Sequence, residues 1–252
     1  MLNQFSRTEL LLGKEAMEIL NKAHVAVFGI GGVGGYTVEA LVRSGIQHID
    51  IIDNDTVSLT NLNRQIIATH STIGKYKVDV MKDRILDINP SAEVNVHKCF
   101  YLPETRDLFD FTKYDYVVDA VDTVTAKINL ILQAKEAGTK IICSMGAGNK
   151  MDPTQFQVAD ISQTTVCPLA RVMRQECKKR KIKNVKVVFS TEKVLRPIEA
   201  IQPEKSSADN RSTVRRDIPG SNAFVPSVAG LIIASEIIKD LTGEATARAR
   251  NI

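Results

Sequence analysis

The feature that most constrains this chain is a run of small residues, Gly29-Ile-Gly31-Gly32-Val-Gly34-Gly35, set between an apolar stretch and a helical one. Upstream, His24-Val-Ala-Val-Phe28 reads as a strand; downstream, Val38, Leu41 and Val42 fall on one helical face. In that order the backbone N–H groups of the turn can approach phosphate oxygens, and the positive end of the helix dipole favours the anion. A second apolar run, Ile49-Asp50-Ile51-Ile52, ends in Asp53, about twenty residues past the loop, where a carboxylate can accept hydrogen bonds from ribose hydroxyls. These residues imply a bound nucleotide without saying which one.

Apolar periodicity organises the rest of the first half. Leu10, Leu11, Leu12, Ile19 and Leu20 predict one helix or two short ones before the first strand. Val78, Met81, Ile85 and Ile88 recur at helical spacing and stop at Asn89-Pro90. Glu93 to Val96 alternates as a strand, and Tyr114 to Asp122 reads as a buried parallel strand with acids at its end. A helix through Ala126, Leu130, Ile131 and Ala134 closes at Gly138, and Lys140 to Ser144 is the next strand. The alternation predicts an α/β fold with a doubly wound, mostly parallel sheet, whose ligands sit at the carboxyl ends of the strands.

The second half is less regular. Gln155 to Ile161 alternates as an antiparallel-type strand, Leu169 to Lys181 as an amphipathic helix, and Lys186 to Phe189 as a short strand. Pro203 to Gly220 is polar and charged, and is expected to be a flexible loop over the site. Val228 to Leu241 reads as an apolar helix packed on the sheet. We expect a single domain over 1–252, with a nucleotide-binding core at 1–150 and a substrate-side extension at 151–252.

Composition limits the function classes. The 252 residues are 44% hydrophobic, enough for a full core. Lys and Arg number 33 against 29 acids, a mild surplus of +4 that permits an anionic partner without demanding one. Apolar runs are too short to span a membrane, and Arg7, Glu9, Lys14 and Glu15 break up any signal-like segment, so a cytoplasmic protein is expected. The cysteines, Cys99, Cys143, Cys167 and Cys177, form no Cys-x-x-Cys pair, which argues against a four-cysteine zinc site. Cys143 reads as a core residue, and Cys167 and Cys177 as surface thiols.

A second motif, Asn61-Leu-Asn63-Arg64-Gln65, puts an arginine and three amides where a plain dinucleotide-binding domain has no use for them. Transfer of AMP to a carboxylate needs neutralised phosphates and a nucleophile in line with the α-phosphorus. Arg64 and Lys77 can supply fixed positive charge, and Asp122 can hold Mg²⁺, which takes one or two carboxylates plus phosphate oxygens. Taken singly, Arg64 could be a surface ion pair, Lys77 a solvated lysine and Asp122 a helix cap.

With Asp53, Asp55, Gly74-Lys-Tyr-Lys77 and Asp119-Ala-Val-Asp122, these motifs resemble the adenylation domain of the ubiquitin-activating superfamily, from about Phe5 to Ser144. The resemblance implies a Rossmann-like fold and ATP held by Gly29, Gly31, Gly32, Gly34, Asp53, Asp55, Asn61 and Gln65. It further implies Asn63, Arg64 and Lys77 on the phosphates, with Asp122 on Mg²⁺. Arg7 is similar to an N-terminal arginine that the superfamily's homodimers insert into the partner's ATP site. The superfamily's usual Asp-Asn pair is Asp122-Thr123 here, which keeps the metal ligand but not the amide.

Sulfur-carrier activators in that superfamily commonly have two Cys-x-x-Cys pairs and a loop cysteine. This chain has neither the pairs nor a cysteine in 203–220. Met145-Gly-Ala-Gly148, Asp152 to Asp160, Cys167-Pro-Leu-Ala-Arg171 and Phe189-Ser-Thr-Glu192 instead resemble the tRNA threonylcarbamoyladenosine dehydratase branch. That branch adenylates a threonyl carboxylate beside the anticodon and closes a ring with loss of water. Arg171, Arg174, Lys178 and Lys181, spaced to share a helical face opposite Leu169, Val172, Met173 and Cys177, are candidates for tRNA phosphates. Lys179, Arg180, Lys183 and Lys186 add to that cluster, and Arg211, Arg215 and Arg216 lie in the loop. Three classes stay open: a tRNA-modifying cyclase, an activator of a ubiquitin-like sulfur carrier, and a dehydrogenase or nucleotide sensor. A sulfur-relay partner is a further expectation of the resemblance.

Overall fold

The computed structural model describes residues 2–198 and 219–250. Its strands are β1 (His24–Phe28), β2 (His48–Ile52), β3 (Glu93–His97), β4 (Tyr116–Asp119), β5 (Lys140–Ser144), β6 (Phe156–Asp160) and β7 (Lys186–Ser190). They form one sheet in the order β3-β2-β1-β4-β5-β7-β6, parallel except for the β6–β7 pair. Strand order reverses between β1 and β4, and such a reversal opens a crevice beyond the strand ends.

Each inner strand is buried on both sides, and the two-residue period divides its side chains between two cores. Val25 and Val27 of β1, Val118 of β4, Ile142 of β5 and Val188 of β7 face one core; Ala26, Phe28, Val117, Cys143 and Val187 face the other. Burial of each large apolar side chain contributes roughly 1.5–3 kcal/mol. The first core is closed by α2 (Lys14–Lys22), α3 (Gly34–Arg43), α4 (Lys77–Ile88) and α7 (Val225–Ala249). The second lies under α5 (Val124–Ala137) and α6 (Pro168–Lys179), with Tyr101, Phe109 and Phe111 packed around Phe28. A short α1 (Ser6–Leu12) precedes them and buries no residue.

The elements expected from periodicity are present, with β4 and β6 shortened, α6 ending before Lys181 and α7 extended at both ends. β4 spans four residues rather than nine, because Asp119 turns its carboxylate onto the Val121 N–H and the chain leaves the sheet at Ala120. Cys167 and Cys177 are not surface thiols. They are 1% and 2% exposed, since Cys177 lies on the inner face of α6 and Cys167 caps its start. Val172, expected on the buried side, is exposed; Ala170, Met173 and Cys177 make the inner stripe instead. Apart from Pro219 and Gly220, the expected loop over 203–220 lies outside the described residues, as do Arg211, Arg215 and Arg216. Among the described residues no helix is long and apolar enough to cross a membrane.

Candidate active site

At the crevice the chain passes from β1 into α3 through the glycine run. The Gly29 N–H donates to Ile52 O at 2.8 Å, and the Ile30 N–H donates to Asp53 Oδ2 at 2.7 Å. Asp53 Oδ1 accepts from the Asp55 N–H at 2.8 Å, so one carboxylate fastens the end of β2 to the glycine turn. A Cβ at position 34 would sit 1.8 Å from Gly29 O, so the turn closes only with glycine there. Gly34 does not line the cavity; its requirement is this packing.

The cavity beyond the turn holds about 390 Å³ and is lined by Gly29, Gly31, Gly32, Asp53, Arg64 and Lys77, with Asp55, Asn61, Gln65 and Asp122 also on its wall. The first N–H groups of a helix have no partner within it, so the glycine turn presents donors here. The Arg64 guanidinium donates to Thr60 O and Asn63 Oδ1, each at 2.9 Å. Arg64 forms no ion pair among the described residues, and burial lowers its pKa. Lys77, the first residue of α4, is 6% exposed; its ammonium meets Asp55 Oδ2 at 2.7 Å and Asp53 Oδ2 at 3.9 Å. Asp122 lies in the bend before α5, exposed to the cavity and without an ion pair among the described residues. It does not cap that helix: the cap position is Thr123.

The motif around Arg64 divides its labour. Asn61 is buried, and its side chain accepts from the Ser58 N–H at 3.1 Å, which holds the short turn that presents Arg64. Asn63 does not line the cavity; its amide donates to Ser221 O at 2.9 Å and so ties the turn to the segment leading into α7. Gln65 lines the cavity, and its buried side-chain oxygen has no hydrogen-bond partner among the described residues. Such an acceptor asks for a donor from a ligand or water. Arg7 is exposed on α1 and is not part of this chain's own cavity wall.

Residues that sequence reading did not single out complete the wall. Phe28, Phe100, Tyr101 and Cys99 supply an apolar side, and Pro226 at the start of α7 backs Gly32, where a Cβ would come within 3.2 Å of it. Of the quoted motifs, the Ala120-Val121 and Ala147-Gly148 parts also fall on this wall.

The basic face of α6 is partly consumed. Lys179 and Arg180 pair with Glu176, Lys186 pairs with Asp240, and Arg174 donates to Thr164 O at 2.6 Å. Lys181 lies past the end of the helix in a left-handed conformation (φ 56°), so it does not continue the helical face. Arg174, Lys178, Lys181 and Lys183 nonetheless share one concave surface of about 580 Å³. Arg171 is exposed on the same helix but outside that surface.

A doubly wound sheet whose strand order reverses over an anion-binding cavity defines a nucleotide-binding α/β protein. Within that class the chain belongs to the ThiF family, whose model matches residues 5–252. It is similar to the tRNA threonylcarbamoyladenosine dehydratase of Bacillus subtilis (strain 168), 48% identical over 242 residues and covering 96% of this chain and 95% of that one. The Escherichia coli (strain K12) protein of the same name is 35% identical over 253 residues, covering 96% and 94%. A crystal structure of the Escherichia coli enzyme in complex with ATP superposes with a TM-score of 0.84, at 34% identity and with 96% and 95% of the two chains covered.

Proposed function

We propose that this chain is an ATP-dependent tRNA-modifying enzyme that adenylates the threonyl carboxylate of threonylcarbamoyladenosine beside the anticodon and cyclises it, releasing AMP and pyrophosphate. The observation that carries the reading is the joining of Arg64, Lys77 and Asp122 to the glycine turn in one cavity, in a chain aligned end to end with relatives named as such dehydratases.

The chemistry follows from those groups. A carboxylate oxygen of the substrate attacks the α-phosphorus, and the bond from that phosphorus to pyrophosphate breaks. Arg64 and Lys77 offset the charge that gathers on the phosphate oxygens, Lys77 by exchanging its Asp55 partner for phosphate. The side chain's own nitrogen then attacks the activated carbonyl carbon and loses its proton, and AMP leaves with the former carboxylate oxygen. The substrate has thereby lost the elements of water. The second step is intramolecular, so it needs no cysteine nucleophile. A carrier-protein substrate fits less well, because the chain lacks both the Cys-x-x-Cys pairs and a cysteine in 203–220.

Asp122 is the residue suited to Mg²⁺: a single free carboxylate beside the phosphate donors matches an ion that keeps several waters and takes its other ligands from phosphate. That ion supplies charge neutralisation on the triphosphate. Gly29, Gly31, Gly32, Asp53, Asp55 and Gln65 surround the nucleotide in this reading, while Gly34, Asn61 and Asn63 shape the turns that present the others. Residues 1–150 serve as the nucleotide-binding core and 151–252 as the substrate-side extension of the same domain. Arg171, Arg174, Lys178 and Lys181 contact tRNA phosphates, which gives affinity that falls steeply with salt. A homodimer in which Arg7 enters the partner's site, a docked sulfur-relay protein and a cytoplasmic setting belong to the same reading.

The test is direct. Purified protein is incubated with ATP, Mg²⁺ and tRNA carrying threonylcarbamoyladenosine, and the digested nucleoside is weighed by mass spectrometry. Loss of one water, dependent on ATP and matched by AMP, is the expected result. An unchanged nucleoside with ATP binding intact sinks the proposal.

A further inference from the structure

A second cavity, of about 370 Å³, opens beside the first and shares Val33, Ala120, Val121, Asp122, Ala147 and Gly148 with it. Its own wall comes from Ser144, Met145 and Gly146 at the end of β5 and from Cys167, Pro168 and Leu169 at the start of α6. Among these mostly apolar groups stands Lys150, 3% exposed. Its ammonium donates to Glu192 O at 2.5 Å and forms no ion pair among the described residues. The Glu192 carboxylate is engaged elsewhere, accepting from the Met151 and Asp152 N–H groups.

A lysine buried this deeply with no counter-ion among the described residues is costly unless something anionic meets it. Apart from Lys127, paired with Asp119, and Lys77, paired with Asp55, no other lysine among the described residues is buried. The local backbone is also built to bring Lys150 inward. Asn149 adopts a left-handed conformation (φ 56°), uncommon for any residue but glycine. It is locked there by hydrogen bonds with Gly220, its N–H donating to Gly220 O at 2.7 Å and its Oδ1 accepting from the Gly220 N–H at 2.6 Å. Asn222 Nδ2 then donates to Lys150 O at 2.8 Å. Residues from three parts of the chain therefore fix one cation in the wall of the second cavity, next to the nucleotide cavity.

We infer that this second cavity receives the substrate's carboxylate-bearing side chain and that Lys150 binds the carboxylate, leaving its second oxygen for the α-phosphorus; this rests on the function proposed above. An ammonium with three donors can keep the Glu192 carbonyl and still hold a carboxylate oxygen. A charge-assisted bond of this kind selects for the free acid over a neutral derivative. The binding residue thus decides which nucleosides can be activated.

The test compares two soluble competitors, free threonylcarbamoyladenosine and its carboxyl methyl ester, against dehydration of the modified tRNA. With the natural protein the acid should inhibit at about tenfold or more lower concentration than the ester, the ratio expected of a lost hydrogen bond to a charged group. In Lys150→Met the ratio should fall below about threefold while ATP binding, measured by calorimetry, stays unchanged. Lys150→Arg, which keeps the charge, should restore part of the preference. Equal inhibition by acid and ester in the natural protein overturns the inference whatever the variants do, including a Lys150→Met that fails to fold. An unaltered ratio in a folded Lys150→Met overturns it too. A natural protein that dehydrates tRNA yet ignores the carboxyl group sinks only this inference; one that binds ATP and leaves the tRNA unchanged sinks the function beneath it.

Discussion

Lys127 and Asp119 meet with both side chains wholly shielded from solvent, the ammonium 3.0 and 3.1 Å from the two carboxylate oxygens and 2.6 Å from Ser144 O. Burial pushes the Asp119 carboxyl up, and Lys127 pulls it back. Lys127→Met should therefore strand a buried acid and cost about 3–5 kcal/mol in urea unfolding, as breaking a buried pair does. Arg64 is the contrasting case. It has hydrogen bonds but no counter-ion among the described residues, so Arg64→Ala should leave stability nearly unchanged while AMP formation falls about 10²-fold or more. A variant as active as the parent would remove Arg64 from the chemistry. Arg64 stands out in the sequence because its motif is compact. Lys150 does not: it is one lysine in a loop, and its burial depends on Asn149 and on Glu192, 42 residues away.

At the scale of elements, α7 matters beyond its own core. Its Gly230 lies where a Cβ would come 2.4 Å from Val33 O, and the Thr37 hydroxyl sits 3.2 Å from both Val33 O and Gly230 O. The helix therefore presses on the glycine turn itself and sets Pro226 behind Gly32. Gly230→Ala should push the two helices apart at a cost of about 1–3 kcal/mol, and should weaken ATP binding, read by calorimetry, more than a distant core substitution of equal cost. The sheet was legible in sequence because buried parallel strands are short apolar runs between helical periods, as in β1, β2 and β5. The end of β4 was not, since Val121 continues the apolar run past the point where Asp119 turns the chain. The burial of Cys167 was equally hidden, because it precedes the helical period, whereas the spacing of α6 already set Cys177 on the face opposite the basic residues.

Across the whole molecule, Asp50 collects four partners from three separate segments: His24 of β1 at 2.7 Å, Asn95 at 2.8 Å and His97 at 2.9 Å from β3, and Tyr114 at 2.9 Å. Burial alone would push its carboxyl up, but these hydrogen bonds outweigh burial and hold it well below the usual carboxylate range. Its folded pKa is thus below the unfolded one, so Asp50 adds stability above about pH 4 that fades as the pH falls further. Melting curves taken down the acid limb should fall less steeply for Asp50→Asn than for the natural chain. No local pattern announces such a cluster, because Asp50 is 26 to 64 residues from each of its partners. Assembly gives the other test at this scale. If Arg7 serves a partner's site, mixing Arg7→Ala with Lys77→Ala subunits should regain part of the activity, and no recovery would remove Arg7 from the site.

The ion pair between Lys77 and Asp55 bears on turnover. Asp55 is largely exposed, with 61% of its side chain in solvent, while Lys77 is sunk in the wall. A phosphate that claims the ammonium does so in competition with a carboxylate already attached to the same segment of chain. In the proposed reaction that competition weakens the hold on any phosphate that Lys77 contacts, a product's included. If pyrophosphate and AMP leave as proposed, Lys77 has a tethered anion to return to, so their release need not leave a buried cation alone. Affinity given up at Asp55 is in this sense speed gained at the exit.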